Sequence, residues 1–234
     1  MNNTYLLMWL EGPLQSWGFD SKFRRRDSLQ FPTKSALLGL ICAARGAGGA
    51  ETAWLAEWAD LDLQLYAYIP EDQPVQQPLL EDFHMVGSAY DDSDPWANLL
   101  IPKTDKGAKP VGSGAILTYR YYLQDIAFAA VVEMPSHMSQ EVEQRLQNPI
   151  WDLYLGRKTC APTEMIFQGI FDSSELATQA GKNLASQKNL NPYFRVLNGQ
   201  HQGEVISIND IPIQFGTDKK YRDRLVTIQN SERS

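Results

Sequence analysis

One stretch, residues 12–39, constrains the fold more than any other, because a strand exit, a basic loop and a helix start follow one another within it. Just before it, residues 5–10 form a run of bulky apolar side chains typical of a buried strand, and Gly12-Pro13 predicts the end of that strand. Thr33 is a good N-cap, and the apolar residues behind it recur at helical spacing. The sequence therefore predicts a strand that is followed by a loop and then by a buried helix that begins at Lys34.

The loop and the helix start together have the composition of an anion-binding surface. The candidate binding residues of this stretch are Gln15, Trp17, Lys22, Arg24, Arg25, Arg26, Thr33, Lys34 and Ser35. The loop supplies cations, and the first helical turn supplies free backbone N–H groups and the positive end of the helix dipole, which favour a phosphate. Taken singly, each feature is more often a solvated loop, an ordinary cap or a core tryptophan. Their combination predicts a phosphate-binding surface.

The next part of the chain alternates strands and helices around one long insertion. The predicted elements are a short helix at 51–59, strands at 61–69 and 127–134, and a helix at 140–147. The stretch 71–113 is long and polar, and its flanks, 82–90 and 115–123, are strand-like enough to pair as a protruding hairpin. Two strand–helix halves in this order predict an α+β fold with a ferredoxin-like (RRM-like) βαββαβ core.

The C-terminal third predicts a second basic turn and a small β-rich extension. Gly156 precedes Arg157 and Lys158, so this turn either brings backbone N–H groups close to a phosphate or is a simple turn with two solvated cations. Beyond it we expect a strand at 165–171, a helix at 174–184 and a hairpin between 194 and 208 that turns at Asn198-Gly199. In the tail we expect a short strand at 225–228, with frayed residues beyond it.

The charge of the chain limits how it can bind a polyanion. A formal net charge of −7 argues against binding nucleic acid over the whole surface, because such affinity comes mostly from counterion release at basic patches. The cations are clustered, however, at 22–26, 103–109, 157–158 and 219–224, whereas acidic residues crowd into 51–62 and 81–94. This segregation suits a protein that touches RNA along one track and other proteins elsewhere.

Other classes of protein find little support in the sequence. No stretch has the length of apolar sequence that spans a bilayer, and no signal-peptide pattern opens the chain, so the cytoplasm is the expected location. Cys42 and Cys160 are expected to be buried thiols rather than ligands of a metal. No metal, nucleotide or nucleophile-elbow motif is present, and no cofactor is expected.

Three motifs carry a family resemblance. GPLQSWG at 12–18, the arginine cluster behind it and FPTKSALLGL at 31–40 resemble the N-terminal signature of the CasD family, a subunit of the type I-E Cascade complex, which is a CRISPR surveillance particle. YLGRKTCAP at 154–162 resembles the second signature of that family, and LTYRYYLQD at 117–125 resembles its third. The motifs occur in order and span most of the chain.

The resemblance implies a non-catalytic subunit that holds the 5′ handle of the CRISPR guide RNA and caps the foot of the particle in antiviral defence. The basic loop, the helix start and the turn at 156–158 would grip the handle. The segment 83–123 would be a thumb that lies against a CasC-like backbone subunit and kinks the guide, with Tyr119, Arg120 and Tyr121 stacking on or clamping nucleotides. Acidic charge at Asp91, Asp92 and Asp94 argues against RNA contact at the tip of this thumb.

Further expectations concern domains, partners and base reading. We expect a single domain over 1–234, with the ferredoxin-like core at 1–78 and 124–172, the thumb hairpin at 79–123 and the C-terminal extension at 173–234. A CasA-like large subunit is the other expected partner, and target DNA is touched at most indirectly. Lys34 and Ser35 are expected to hold a phosphate, which would position Trp17 to stack on the adjacent unpaired base and Gln15 to hydrogen-bond it.

Two alternative functions stay open. A metal-independent endoribonuclease that processes CRISPR repeat RNA, as in the related type I-C subunit, would need an acid–base set, and His84, Tyr119 and Lys34 form one candidate set. The other histidines, His137 and His201, lie in different neighbourhoods of the sequence. A pure protein–protein scaffold would predict that the basic clusters scatter in space, whereas an RNA holder predicts that they converge.

Overall fold

The structure is a computed structural model that describes residues 3–18, 25–86 and 116–231, and for His84, Val86 and Ile116 it describes the backbone alone. The described residues form nine strands, four α-helices and one short 3₁₀ helix. The strands are β1 (Asn3–Gln15), β2 (Arg25–Arg26), β3 (Leu63–Pro70), β4 (Leu80–Val86), β5 (Ile116–Pro135), β6 (Phe167–Phe171), β7 (Leu190–Asn198), β8 (Glu204–Gln214) and β9 (Lys220–Asn230). The helices are α1 (Lys34–Arg45), α2 (Thr52–Trp58), α3 (Ser139–Gln147) and α4 (Ser174–Gln187), and the 3₁₀ helix is Ser136–Met138.

Seven strands form one sheet in the order β6-β1-β5-β3-β7-β9-β8, and every neighbouring pair in it is antiparallel. The other two described strands both pair with the N-terminal part of β5, β4 antiparallel and β2 parallel. The long strand β5 therefore belongs to the main sheet at one end and to a separate ladder at the other. The predicted α+β class is confirmed.

The first strand shows why the core lies on both faces of this sheet. Leu6, Met8 and Leu10 belong to the apolar cluster that includes α1, α2 and α3, whereas Leu7 and Trp9 pack in a second cluster with α4. Because successive side chains of a strand point to opposite faces, a strand covered on both sides needs apolar residues at every position. This requirement explains the unbroken apolar run that predicted β1.

Two details of the predicted elements are wrong. β1 does not stop at Gly12-Pro13 but continues to Gln15; β6 pairs with it only as far as Met8, so Pro13 lies where one side of β1 has no ladder, the position in which a strand tolerates proline. The predicted hairpin between β7 and β8 does not form, because β9 lies between them and pairs with both. β9 is accordingly longer than the strand predicted at 225–228.

The two flanks of the predicted insertion pair with each other. The ladder runs from Leu80 opposite Tyr122 to Val86 opposite Ile116. Residues 87–115, which include the three aspartates and the lysines at 103–109, lie outside the described residues, as do Lys22 and Arg24 of the basic loop. Among the described helices, none combines the length and the apolar character that crossing a membrane requires.

Candidate nucleic-acid interface

The fold brings the basic loop against the stem of the β4–β5 hairpin. Arg25 and Arg26 form the two-residue strand β2, both are exposed, and they pair in register with Tyr119 and Arg120 of β5. A bridge between Trp17 and Leu29 closes the loop that carries the arginines. Two motifs that lie more than ninety residues apart in sequence, at 25–26 and 119–120, are thus neighbours in space.

Arg25 is held by aromatic and acidic neighbours. Its Nη2 donates to the Tyr121 hydroxyl at 2.8 Å, and its guanidinium lies 4.9 Å from the centroid of the Tyr121 ring. The Nε group donates to Asp27 at 3.1 Å, and the Tyr121 hydroxyl in turn donates to Glu81 at 2.5 Å, a hydrogen bond that raises the pKa of Tyr121. These contacts are exposed, so an incoming phosphate can displace the carboxylates at little cost.

The basic turn at 156–158 contacts the basic loop that carries Arg25 and Arg26. Arg157 donates from Nη2 to the backbone carbonyl of Arg26 at 2.7 Å, and its guanidinium lies 4.8 Å from the ring centroid of Tyr122. Its Nη1 is buried without a hydrogen-bond partner in the described part of the chain. Lys158, next to it, is exposed. The basic residues of three separate motifs therefore converge on one surface.

Gly156 is required here for packing. Its φ is +94°, and a Cβ at this position would lie 1.7 Å from the backbone oxygen of Ser16, so no other residue fits without moving the exit of β1. Its N–H group already donates to the Tyr154 carbonyl at 2.8 Å. Of the two interpretations of this turn, the one that offers the glycine N–H to a phosphate is not supported.

The start of α1 is built as predicted, but its lysine faces inward. Thr33 caps the helix by accepting from the N–H of Ala36. The Lys34 side chain is 3% exposed, and its Nζ donates to the carbonyls of Ala59 at 2.9 Å and Leu61 at 2.6 Å. The predictions that Lys34 grips a phosphate or serves in an acid–base set with His84 are therefore wrong, because the ammonium group is enclosed by backbone.

A buried ion pair occupies the position expected for the phosphate. The N–H of Lys34 donates to Asp210 at 2.7 Å, and Arg224 donates to both oxygens of the same carboxylate, at 2.7 and 2.9 Å. Burial, followed by the nearby Arg224 charge, lowers the pKa of Lys34 to about 8. Asp210 and Arg224 lie on β8 and β9, so this network fastens the C-terminal strands to the helix start.

Gln15 and Trp17 are part of the core. Both are 0% exposed. The Gln15 amide donates to the carbonyls of Leu10 at 3.1 Å and Ile126 at 2.6 Å, and its oxygen accepts from the Trp17 indole N–H at 3.1 Å. The prediction that these two side chains stack on and hydrogen-bond an unpaired base is contradicted, because their polar atoms are already satisfied inside the protein.

A groove of about 470 Å³ runs along one side of α1. Thr33, Ser35, Gly39 and Ala43 line it on the helix, so it extends from the first helical turn to the last. Its lining outside α1 includes four residues that are not among the candidates from the sequence: Trp151, Phe215, Lys219 and Tyr221. Only Lys219 carried a sequence signal, as a member of the basic cluster at 219–224. A larger cavity of about 730 Å³ lies elsewhere and includes none of the predicted site residues.

The described histidines are not gathered at this groove. His137 lies 3.2 Å from Glu57, and the His201 ring lies 2.9 Å from the Asn198 carbonyl; neither lines the groove. The side chain of His84 is outside the described residues. Within the described ranges, no group of three or more His, Cys, Asp and Glu side chains is arranged to hold a metal ion.

Comparison with known proteins gives one family and several relatives. The family model described as CRISPR-associated protein (Cas_Cas5) matches residues 5–227. The CRISPR system Cascade subunit CasD of Escherichia coli (strain K12) is 30% identical over 178 residues, which cover 74% of this chain and 73% of the relative. A chain of a solved CRISPR RNA-guided surveillance complex has a TM-score of 0.72 at 23% identity, covering 97% of this chain and 90% of that one. Another solved structure, of a Cas protein, has a TM-score of 0.56 at 21% identity, covering 97% and 94%.

Proposed function

Because the chain belongs to the Cas5 family of CRISPR-associated proteins, we propose that it is the CasD-type subunit of a type I-E Cascade surveillance complex. In this role it holds the 5′ handle of the guide RNA and caps the foot of the particle without cutting RNA. The relative named as a Cascade subunit, with 30% identity over 74% of this chain, supports the assignment to such a complex.

The observation that carries the RNA-binding role is the convergence of the basic motifs. Arg26 pairs with Arg120 in the ladder, and the carbonyl of Arg26 accepts a hydrogen bond from Arg157. A protein–protein scaffold gives no reason for cations from three distant motifs to meet on one exposed surface. A polyanion does, since neutralising several phosphates together releases several counterions.

The hairpin of β4 and β5 is proposed to be the thumb, which lies against a CasC-like backbone subunit. Phe83, Met85 and Tyr119 are exposed on its described part, and the rings of Phe83 and Tyr119 lie 5.5 Å apart, edge to face. Exposed apolar side chains that lie together favour a covered surface in the assembly. A CasA-like large subunit is the other proposed partner, with target DNA touched at most indirectly.

The domain organisation proposed here is a ferredoxin-like core at 1–78 and 124–172, a thumb at 79–123 and an extension at 173–234. Strands β1, β3, β5 and β6, taken as the first to fourth strands of a βαββαβ unit, have the spatial order fourth, first, third, second. All neighbours among them are antiparallel. This order supports a split βαβ arrangement, to which β7, β8 and β9 add a β-rich extension.

The test uses the exposed cations of the converging surface. Arg25→Ala, Arg26→Ala and Lys158→Ala together should weaken guide-RNA binding by the assembled complex. The plot of log affinity against log salt should flatten by about 0.7 for each lost contact with single-stranded phosphate. The binding constants are measured by fluorescence anisotropy with a labelled handle RNA at several salt concentrations.

Lys182→Ala is the matched control. Lys182 is an exposed lysine of α4, which packs on the face of the sheet opposite α1, and its removal should leave the slope unchanged. If the slope of log affinity against log salt is equal in the wild-type protein and in the triple variant, these cations do not bind RNA phosphates. That result would favour the scaffold function.

A further inference from the structure

One glycine of the groove has no explanation inside the protein. Gly39 is in the interior of α1, its φ is not positive, and a Cβ built there would meet nothing within 4 Å of it in the described structure. Glycine in a helix interior is less stable than alanine. Within the part of the chain that the structure describes, neither backbone conformation nor packing accounts for the missing side chain, whereas close approach by a ligand would.

Three other glycines of the groove are accounted for by their neighbours or by their backbone conformation. Gly48 lies under the indole of Trp151, whose Cη2 would be 2.9 Å from an added Cβ. Gly216 has a positive φ of +83°, and Gly156 is pressed against Ser16. Gly39 stands apart from these three, because the side that it presents to the groove is open.

The lining outside α1 offers an aromatic face and a cation. Trp151 packs against Gly48 and is still 48% exposed. Lys219 is exposed in the turn between β8 and β9, without an ion pair in the part of the chain that the structure describes. Among the described residues that line the groove, none carries a carboxylate, and Lys219 contributes a cation.

We propose that this groove binds one unpaired nucleotide of the guide RNA, with its base against Trp151, its backbone passing over Gly39 and a phosphate beside Lys219. The proposal rests on the proposed function and extends its site along α1, away from the converging arginines. A volume of about 470 Å³ falls in the range of about 300–1,000 Å³ that small-ligand sites occupy. An aromatic side chain with a nearby cation is the usual platform for an unpaired base.

A nucleotide fits these observations better than a peptide segment does. A peptide segment without an acidic side chain would leave Lys219 without a defined partner, whereas every nucleotide carries a phosphate. The groove is also lined by Ser16 and Gly156, and Gly156 directly precedes Arg157 of the converging surface. An RNA strand that leaves that surface can therefore enter the groove without crossing a carboxylate among the described residues of its lining.

The decisive variant is Gly39→Ala, because it should affect stability and binding in opposite directions. In the free chain, alanine should raise the melting temperature by about 1–3 °C, since it favours the helix and meets no neighbour. In the assembled complex it should lower the affinity for handle RNA several-fold, since the methyl group occupies the space of the RNA backbone. Ser186→Ala is the control: it favours helix α4 in the same way but lies on the opposite face of the sheet.

The second variant tests the stacking partner. Trp151→Ala should lower the affinity about tenfold, as the loss of one stacked base does. Met165→Ala removes another exposed apolar side chain that does not line the groove and should leave the affinity unchanged. Handle RNAs with a single abasic position, tested one position at a time, locate the base. One abasic position should weaken binding to the wild-type complex and have no further effect on the Trp151→Ala complex.

The outcomes separate this proposal from the function on which it rests. Suppose that complexes with Gly39→Ala and with Trp151→Ala bind handle RNA like the wild-type complex, while the triple variant of Arg25, Arg26 and Lys158 binds it weakly. The nucleotide site is then refuted and the RNA-holding function stands. If the wild-type complex shows no salt-dependent affinity for handle RNA, the proposed function itself fails. If the two groove variants retain RNA affinity but prevent assembly with the partner subunits, the groove takes a protein segment and the proposal is overturned.

Discussion

The buried Lys34 predicts a measurable dependence of stability on pH. Its side chain is enclosed by the carbonyls of Ala59 and Leu61 and lies near Arg224. Burial, with a smaller contribution from that arginine, lowers its pKa from the ordinary 10.5 to about 8. Lys34→Met removes the titrating group while it keeps most of the length of the side chain.

The sign and the size of the effect follow from proton linkage. Between pH 8 and pH 10.5 the unfolded chain keeps the Lys34 proton and the folded chain loses it, so the free energy of unfolding rises with pH across this window. At about 1.4 kcal/mol per pKa unit, the shift from 10.5 to about 8 corresponds to a gain of about 3 kcal/mol for the wild-type protein. Below pH 8 both states are protonated and the contribution of Lys34 is constant.

The assay compares two proteins so that other groups cancel. Urea denaturation is followed at pH 7, 8, 9 and 10 for the wild-type chain and for Lys34→Met. Burial raises the pKa of Cys42 to about 11 and also raises the pKa of Tyr68, and such groups lower stability at high pH in both proteins alike. The difference in unfolding free energy between wild type and variant should grow in favour of the wild type as the pH rises.

A difference that stays constant from pH 7 to pH 10 would refute the reasoning, because Lys34 would then titrate equally in both states and could not be enclosed. The Lys34→Met variant also tests whether Lys34 contributes to RNA binding. Since the ammonium group faces the core, its loss should leave the salt slope of RNA binding unchanged once the folded fraction is equal. A slope that falls by about 0.7 would place Lys34 on a phosphate instead.

Two further predictions follow from the site. Gln15→Ala should destabilise the chain by roughly 3 kcal/mol, because two buried carbonyls and one indole N–H lose their partners, yet competition binding should show the same preference for cognate over scrambled handle; a selective loss of that preference would restore Gln15 as a base reader. His84→Ala, His137→Ala and His201→Ala should leave guide maturation unaffected when guide length is measured on a denaturing gel, and cleavage of repeat RNA by the purified chain, lost in one of these variants, would make the endoribonuclease function correct.

The sequence predicts the elements of this fold where the signal is local. The Thr33 cap and the apolar periodicity behind it place the start of α1 at Lys34, as observed, because capping and amphipathicity act within one helical turn. The strands β1 and β3 are also predictable from local sequence. The apolar run in β1 is buried on both faces of the sheet, and side chains of β3 alternate in burial over its first residues. The ladder between 80–86 and 116–122 is also predictable in outline, from the two strand-like flanks of a long polar stretch.

The burial of the site residues was not predictable in the same way. Lys34 and Asp210 are 176 positions apart, and Gln15 reaches the Ile126 carbonyl 111 positions away. No local sequence pattern indicates that a polar side chain in a basic motif will be buried and will hydrogen-bond to groups in the core. The insertion of β9 between β7 and β8 is a similar case, because a turn signal at Asn198-Gly199 gives the position of a turn but not which strand pairs beyond it.

Net charge alone is a poor guide to whether this chain can bind RNA, because some of its cations are already paired with carboxylates. Arg224 is buried against Asp210, and Lys188 is paired with Glu11 and Glu164, so these cations contribute little to the binding of an external phosphate. Affinity for RNA depends on exposed cations within about one Debye length, roughly 8 Å at physiological salt, and not on the net charge of −7.

The two arginines of β2 differ by the same criterion. Arg25 already donates to Asp27 and lies near Glu81 through the Tyr121 hydroxyl, so a phosphate that binds it must displace carboxylates. The side chain of Arg26 is exposed, and its backbone carbonyl accepts a hydrogen bond from Arg157. In the part of the chain that the structure describes, no ion pair joins the Arg26 side chain to a carboxylate, whereas Arg25 has one with Asp27. If the proposed function is correct, Arg26→Ala should therefore weaken handle binding more than Arg25→Ala, because no carboxylate has to be displaced from Arg26.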